Sequence, residues 1–400
     1  MILSPQTNRF ESLDALRGVA ILGIFAVNIF AFAFPWYALA NPSAFTAYED
    51  NGAFWWGLSA GIFQFKFITI FSALFGAGIM LTLGKDASES EISLHRHRMF
   101  WLLMIGIIHN YLLWYGDILA PYAIAGFLLI GARHWTTKRL LKAGSILIML
   151  NYILYYLQDL GLQFIPAEDL VSIIEESWAP PPEAIQAEFD LFRSSYFDRL
   201  PHTLFSALMG HLMQGGFFMM RIIGVMMFGM ALFRSGFFTL GWSSRRYLWT
   251  GLVASIIGAA GSFWSAHDQI AANFHLTEVF QGQTALYWAS LIQAFGYAAL
   301  VMLACTVNPL KIVRAPFAAA GRLALSNYLA TSLIGIFIFF GPPGLGKFGT
   351  MNFEELAKVV GAVWLFILIW SPLWLLVFRF GPAEWVWRSL SYRRLQPILK

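Results

Sequence analysis

Residues 359–378, VVGAVWLFILIWSPLWLLVF, form a charge-free apolar run flanked by Lys358 and Arg379. A helix of about 20 such residues, at about 1.5 Å per residue, crosses the roughly 30 Å hydrocarbon layer of a bilayer. Nine further apolar stretches precede this run. The sequence therefore predicts an all-α, polytopic integral membrane protein with about ten transmembrane helices. The ten stretches are residues 19–39, 54–83, 99–115, 118–131, 143–164, 203–233, 247–266, 284–306, 323–340 and 355–378.

Lysine and arginine are concentrated in alternate loops. They cluster before the first stretch and after the second, fourth, sixth, eighth and tenth. The intervening loops contain only Arg193, Arg199 and Lys347, with Lys358 at the start of the last stretch. Because positively charged loops remain on the cytoplasmic side, we expect both termini to be cytoplasmic.

The composition excludes several classes of function. Hydrophobic residues make up 58% of the chain and charged residues 12%, against about 25% charged in soluble domains. The net charge of +4 follows from the charge bias of the loops, so we expect the lipid bilayer as a partner and no nucleic acid. Cys305 is the single cysteine, which excludes an intramolecular disulfide and a thiolate cluster. No metal site is predicted, and the oligomeric state is left open.

The chain is predicted to form one multi-span membrane domain, residues 1–400. Helices one to five occupy residues 1–164, and helices six to ten occupy residues 203–400. Between them, residues 165–202 form an acidic external segment. Three prolines at positions 180–182 divide it into two amphipathic pieces, predicted as short helices that lie on the membrane or cap an external cavity.

Polar side chains at membrane depth are the candidates for function, because a charge there costs about 2.5–3.5 kcal/mol on insertion scales. His109 and Asp117, eight residues apart, predict a general-base pair at the outer turn between the third and fourth stretches, in which the carboxylate fixes the imidazole tautomer. The structural alternative is that His109 bonds a neighbouring carbonyl and Asp117 caps the fourth helix.

A second polar group lies in the sixth stretch. His211, Gln214 and Arg221 fall within an arc of ~80° at 100° per residue, which favours the wall of a polar cavity. The alternative is that Arg221 is structural, paired with a carboxylate or with carbonyl groups at a helix end. Lys66, in the second stretch, is likewise either a binding charge or a snorkelling side chain.

Five segments resemble a known family. They are LDALRGVAILG at 13–23, FSALFGAG at 71–78, GIIH at 106–109 with GDIL at 116–119, GRLALSNYL at 321–329 and GPAEWVWRSL at 381–390. Together they resemble the YeiB-like family of bacterial inner-membrane proteins (domain of unknown function 418) over nearly the whole chain. The resemblance implies a multi-pass protein of the bacterial inner (plasma) membrane.

A wider resemblance suggests a chemistry. The L-x-x-L-R-G segment ending at Gly18 is similar to the start of membrane acyltransferases that acetylate surface polysaccharides and heparan glucosamine. The histidine that the polysaccharide enzymes place in the same span is replaced here by Asn28. His109, preceded by Arg98 on nearly the same helix face, is the histidine at suitable depth.

The resemblance implies acyl-coenzyme A as co-substrate, with no other cofactor, and a glycan or lipid acceptor. Arg17 and Arg98 would attract the coenzyme, and His109 with Asp117 would deprotonate the acceptor. Substrate binding or stabilisation of the oxyanion would fall to Asn28, Gln214 and Arg221.

Two other classes of function remain open. The first is a transporter for a small polar or anionic solute, with Lys66 and Arg221 as binding charges and Asp117 or His109 as proton carrier. The second is a non-catalytic scaffold or sensor that binds ligands through the acidic segment. Whether the protein is an enzyme is therefore a hypothesis, with an acyltransferase as the favoured form.

Overall fold

The computed structural model describes residues 10–49, 51–84 and 86–400, without the side chains of residues 213–215, 217 and 279–281. Fifteen α-helices account for most of this part of the chain, and it contains no β-strand. They are α1 Glu11–Ala33, α2 Gly52–Ile62, α3 Lys66–Thr82, α4 Glu89–Ile108, α5 Leu119–Leu128, α6 Thr137–Leu162, α7 Ala167–Ser177, α8 Pro182–Arg193, α9 Tyr196–Arg234, α10 Ser244–Ala271, α11 Leu276–Thr306, α12 Lys311–Arg322, α13 Ala324–Phe339, α14 Phe353–Val377 and α15 Pro382–Ser391.

The protein is an all-helical membrane protein. Within the described residues, six helical segments are long and apolar enough to cross a bilayer, with α2 and α3 counted together as one, or seven if the bent pair α12–α13 is one span. Each predicted apolar stretch overlaps a helix. The fourth, however, contains only α5, whose ten residues extend about 15 Å, roughly half of the hydrocarbon layer.

Two of the spans are broken. α2 and α3 are separated at Phe65, which has a φ of 66°, and α12 and α13 meet at an angle of 79°. At the first break the ammonium group of Lys66 donates to the carbonyl oxygen of Ala60 at 2.5 Å. Since the last carbonyls of a helix have no partner within it, Lys66 caps α2 from the first residue of α3.

Two glycines allow α1 and α12 to make backbone contact. A Cβ on Gly18 would lie 1.9 Å from the carbonyl oxygen of Phe317, and one on Gly321 would lie 1.8 Å from that of Asp14. Only glycine fits such a crossing. Arg17 and Arg322 are the chain neighbours of these glycines, and both line the same cavity.

The acidic segment forms the two short helices that the sequence predicts, with α8 beginning at Pro182. Phe192 of α8 is buried and stacks on Phe348 with ring centroids 4.3 Å apart. α7, in contrast, buries none of its residues. Only α8 therefore packs on the bundle through a buried side chain.

Candidate functional site

His109 and Asp117 are in direct contact. α4 ends in a π-helical turn, His109–Leu113, and such turns often occur at functional sites. His109 Nδ1 lies 2.9 Å from Asp117 Oδ1, and the two side chains are 1% and 0% exposed. Because an ionised carboxylate only accepts hydrogen bonds, we infer that Nδ1 carries the proton. Nε2 is then free to accept.

Asp117 also caps a helix. Its Oδ2 accepts from the backbone N–H of Ala120 at 2.8 Å, in the first turn of α5. The sequence offered a catalytic pair and a helix cap as alternatives, and the geometry contains both contacts. A buried carboxylate needs such donors, because an unpaired ion in the interior costs several kcal/mol.

A third residue completes the site, and it was missed in the sequence analysis. Ser332 Oγ lies 2.9 Å from His109 Nε2 and 3.3 Å from the carbonyl oxygen of Tyr328. Asp117, His109 and Ser332 thus have the connectivity and the 2.6–3.2 Å spacing of an activated-nucleophile triad. We call these three residues the triad.

The triad is built from the turn between α4 and α5 and from α13. Ser332 is close to the middle of α13, and Asp117 directly precedes the ten-residue α5. Asp117 thus lies in a turn between two helices, and its position at the outer face stays a prediction.

Two aromatic residues flank the imidazole of His109. The Tyr328 ring lies 5.2 Å from it, and the Trp114 ring lies 6.3 Å from it, edge to face. Trp114 stacks on Phe32 at 4.1 Å, in the last turn of α1. Its indole N–H is buried and has no hydrogen-bond partner among the described residues.

A cavity of about 280 Å³ lies beside the triad. Arg17, Arg98 and Arg322 line it together with Glu384, and apolar side chains form most of its wall. Tyr328 and Ile118 also line it, and the Ile118 N–H donates to Tyr328 Oη at 3.2 Å. The cavity thus extends from the arginines to Tyr328, whose ring separates it from His109.

The residues around this cavity are held by specific contacts. Arg17 pairs with Asp14 at 3.0 Å, and Arg98 donates to Tyr392 Oη at 2.8 Å. Glu384 accepts from the N–H groups of Leu325 and Ser326 at 2.7 and 3.2 Å. Since Glu384 belongs to the segment at 381–390 and its partners to the segment at 321–329, this contact joins the two long motifs of the sequence.

The other predicted binding residues lie elsewhere. Arg221 donates to Ser290 Oγ at 2.9 Å and lies over the Tyr287 ring at 4.4 Å. In the described part of the chain neither Arg221 nor Lys66 forms a salt bridge with a carboxylate. Asn28 is half-buried in α1 and does not bond the triad, and the side chain of Gln214 lies outside the described residues.

The arrangement supports proton transfer. Among the described residues, no three His, Cys, Asp or Glu side chains are grouped as metal ligands. Nε2 of His109 can remove a proton from a hydroxyl group, and Asp117 can stabilise the imidazolium that forms. Arg17, Arg98 and Arg322 can bind phosphate groups at the cavity mouth.

The chain is similar to a protein family and to bacterial proteins of nearly the same length. Residues 232–394 match the family model "Protein of unknown function (DUF418)". "Uncharacterized protein YeiB" of Escherichia coli (strain K12) is 32% identical over 98% of both chains. "Uncharacterized protein YxaH" of Bacillus subtilis (strain 168) is 29% identical over 98% of this chain and 96% of its own. The family-model match contains Ser332 of the triad, and His109 and Asp117 precede it.

Proposed function

The chain belongs to the YeiB family, and from that premise we propose that it is a transmembrane acyltransferase of the bacterial inner membrane. It would move an acyl group from acyl-coenzyme A to a glycan or lipid acceptor that approaches from the opposite face. The observation that carries this proposal is the buried His109–Asp117 pair, separated by the Tyr328 ring from a cavity lined by arginines. The proton acceptor would activate the acceptor substrate, and the anion-binding cavity would hold the thioester donor.

The cavity suits an acyl-pantetheine arm. Its volume of about 280 Å³ is near the lower limit of ligand pockets, roughly 300–1,000 Å³. It would hold the arm, while the nucleotide stays at the mouth. Coenzyme A carries several phosphate charges, and arginines offer paired donors to phosphate oxygens. The apolar wall would keep water from the thioester.

The orientation is part of the proposal. The cation-rich loops would lie in the cytoplasm, together with both termini and the cavity mouth, with ten membrane-inserted segments in total. A cysteine placed at exposed Ser90 in a Cys305→Ala background should resist an impermeant maleimide in whole cells. Cysteines at Glu183 and His275 should react. The opposite pattern would reject this orientation.

Ligand binding tests the proposal most directly. Purified protein should bind acetyl-coenzyme A in a calorimetric titration, and Arg98→Ala should weaken binding at least tenfold at low salt, because a phosphate contact is lost. Arg246→Ala is the matched control, since Arg246 lies over the Trp242 ring and does not line the cavity. Absence of binding at millimolar ligand by folded wild-type protein would reject the acyltransferase.

A transporter remains the second candidate because of one observation. The α2–α3 break, with Lys66 buried at the first residue of α3, resembles the discontinuous helices that form solute sites in transporters. Counterflow of a small anion in proteoliposomes, lost in Lys66→Met and unaffected by Arg98→Ala, would favour this function over acyl transfer.

A further inference from the structure

We propose that Ser332 carries the acyl group covalently, so that the transfer proceeds in two half-reactions through an acyl-serine. This inference rests on the proposed acyltransferase function and adds the residue that receives the acyl group. It starts from an observation that the proposed function does not need, namely that Nε2 of His109 already faces a protein hydroxyl group.

The first argument concerns the direction of the proton. With Nδ1–H donated to Asp117, Nε2 has a lone pair directed at Ser332 Oγ, 2.9 Å away. If His109 acted only on an external acceptor, that acceptor would have to displace Ser332 from Nε2. Ser332 is 2% exposed, and of the two acceptors that its hydroxyl group contacts, Nε2 at 2.9 Å is closer than the carbonyl oxygen of Tyr328 at 3.3 Å. The hydroxyl group best placed to lose a proton to His109 is therefore that of Ser332.

The second argument concerns position along α13. Tyr328 lines the cavity, and Ser332 lies four residues later, on the same helix face, with a Cβ separation of about 6 Å. A thioester carbonyl at the end of the cavity is thus one helical turn from Oγ. Rotation of the Tyr328 side chain would open a path from the cavity to Ser332 Oγ.

The third argument concerns the oxyanion. Trp114 is 2% exposed, and its indole N–H has no acceptor among the described residues. Leaving a buried donor unpaired costs about 1–3 kcal/mol. A donor aimed at charge that develops only during reaction is a known use for such a group, and Trp114 lies beside the imidazole.

The chemistry balances without an oxidant or a reductant. Ser332 Oγ attacks the thioester carbon while its proton moves to Nε2 of His109. The C–S bond then breaks, and the departing thiolate takes the proton from the imidazolium. In the second half, the acceptor's hydroxyl or amino group gives its proton to Nε2 and attacks the ester. The C–Oγ bond breaks, and Oγ recovers the proton.

Isotope exchange tests this mechanism without knowledge of the acceptor. Full-length purified protein is given acetyl-coenzyme A and labelled free coenzyme A. A covalent intermediate predicts that label enters acetyl-coenzyme A, whereas direct transfer in one step predicts none. We expect exchange by the wild type and at least a 100-fold loss in Ser332→Ala, with the dissociation constant for acetyl-coenzyme A within threefold of wild type.

Thr331→Val is the matched control. Thr331 is the adjacent buried hydroxyl residue, and it donates to the carbonyl oxygen of Tyr328 at 2.7 Å without contacting His109. This variant should exchange within threefold of wild type. Trapping with radiolabelled acetyl-coenzyme A should place one acetyl group on the α13 peptide. That bond should resist neutral hydroxylamine and become sensitive to it in Ser332→Cys, which forms a thioester.

Three outcomes would overturn the inference. Binding of acetyl-coenzyme A without exchange would reject the acyl-serine and leave the acyltransferase standing. A label that neutral hydroxylamine removes from the wild type, mapped to His109, would move the covalent step to the imidazole. No binding by folded wild-type protein would reject the proposed function and the acyl-serine together.

Discussion

Replacing Asp117 by asparagine should inactivate the site, because asparagine cannot accept both of the hydrogen bonds that Asp117 accepts. In the wild type both carboxylate oxygens accept, one from His109 Nδ1–H at 2.9 Å and the other from Ala120 N–H at 2.8 Å. Asparagine offers one acceptor and one donor group. It can therefore accept a hydrogen bond from only one of these two N–H groups.

Each orientation of the new amide has a different cost. If the oxygen faces Ala120, the NH₂ group faces Nδ1 and forces the proton onto Nε2, which can then no longer accept from Ser332. A wrong tautomer and a lost general base reduce rates by about 10²–10⁴-fold. If the amide is reversed, the cap of α5 is lost, at about 1–3 kcal/mol for an unpaired buried N–H.

The first orientation should dominate, because it keeps the cap. We expect Asp117→Asn to release thiol from acetyl-coenzyme A at least 100-fold more slowly, in the presence of a cell-envelope extract as acceptor source, with a melting temperature near wild type. Asp159→Asn is the control, since Asp159 is also buried but does not bond the triad. A rate within threefold of wild type would refute the assignment of His109 as base.

Three further predictions follow from other contacts. Gly321→Val should separate α1 from α12 and lower the melting temperature by several degrees, because overpacking costs about 1–3 kcal/mol or more, whereas Gly361→Ala, with open space around its Cβ, should not. Burial raises the pKa of Glu188 to about 7, so thermal stability should fall as pH rises from about 4.5 through 7. This slope should vanish in Glu188→Gln and persist in the exposed control Glu183→Gln. Trp114→Phe should lower the melting temperature, because Trp114 is buried against Phe32 and the smaller ring leaves a cavity, and folded protein should transfer acyl groups about 10²–10³-fold more slowly because the indole N–H is lost. An unchanged transfer rate would remove Trp114 from the site.

The pairing of His109 with Asp117 could be predicted because it is local. The two residues are eight positions apart at a helix turn, and histidine and aspartate are rare in apolar segments, so their chemistry stands out from their surroundings. Ser332 has neither advantage. It lies 223 residues from His109, and serine in an apolar helix is more often a packing contact between helices. Only the packing of α13 against the π-helical turn brings it to Nε2.

The broken span shows a second limit of sequence analysis. Residues 54–83 form one continuous apolar stretch without a proline, so nothing in the pattern predicts an interruption. The break at Phe65 depends on a positive φ at a residue that rarely adopts one. Once the chain breaks there, Lys66 finds the carbonyl of Ala60. Lys66, which the sequence offers as a binding charge, thus also caps a helix, a contact that the apolar pattern does not predict.

The burial of the triad bears on how two substrates could meet there. Tyr328 separates His109 from the cavity with the arginines. Trp114 also lies against the imidazole and stacks on Phe32, in the last turn of α1. A water-filled path through both layers would expose a thioester to hydrolysis, and exclusion of water suppresses that side reaction. An acyl group held on Ser332 removes the need for both layers to open at once. The donor side can close before the acceptor side opens, so a covalent carrier and a buried site favour one another.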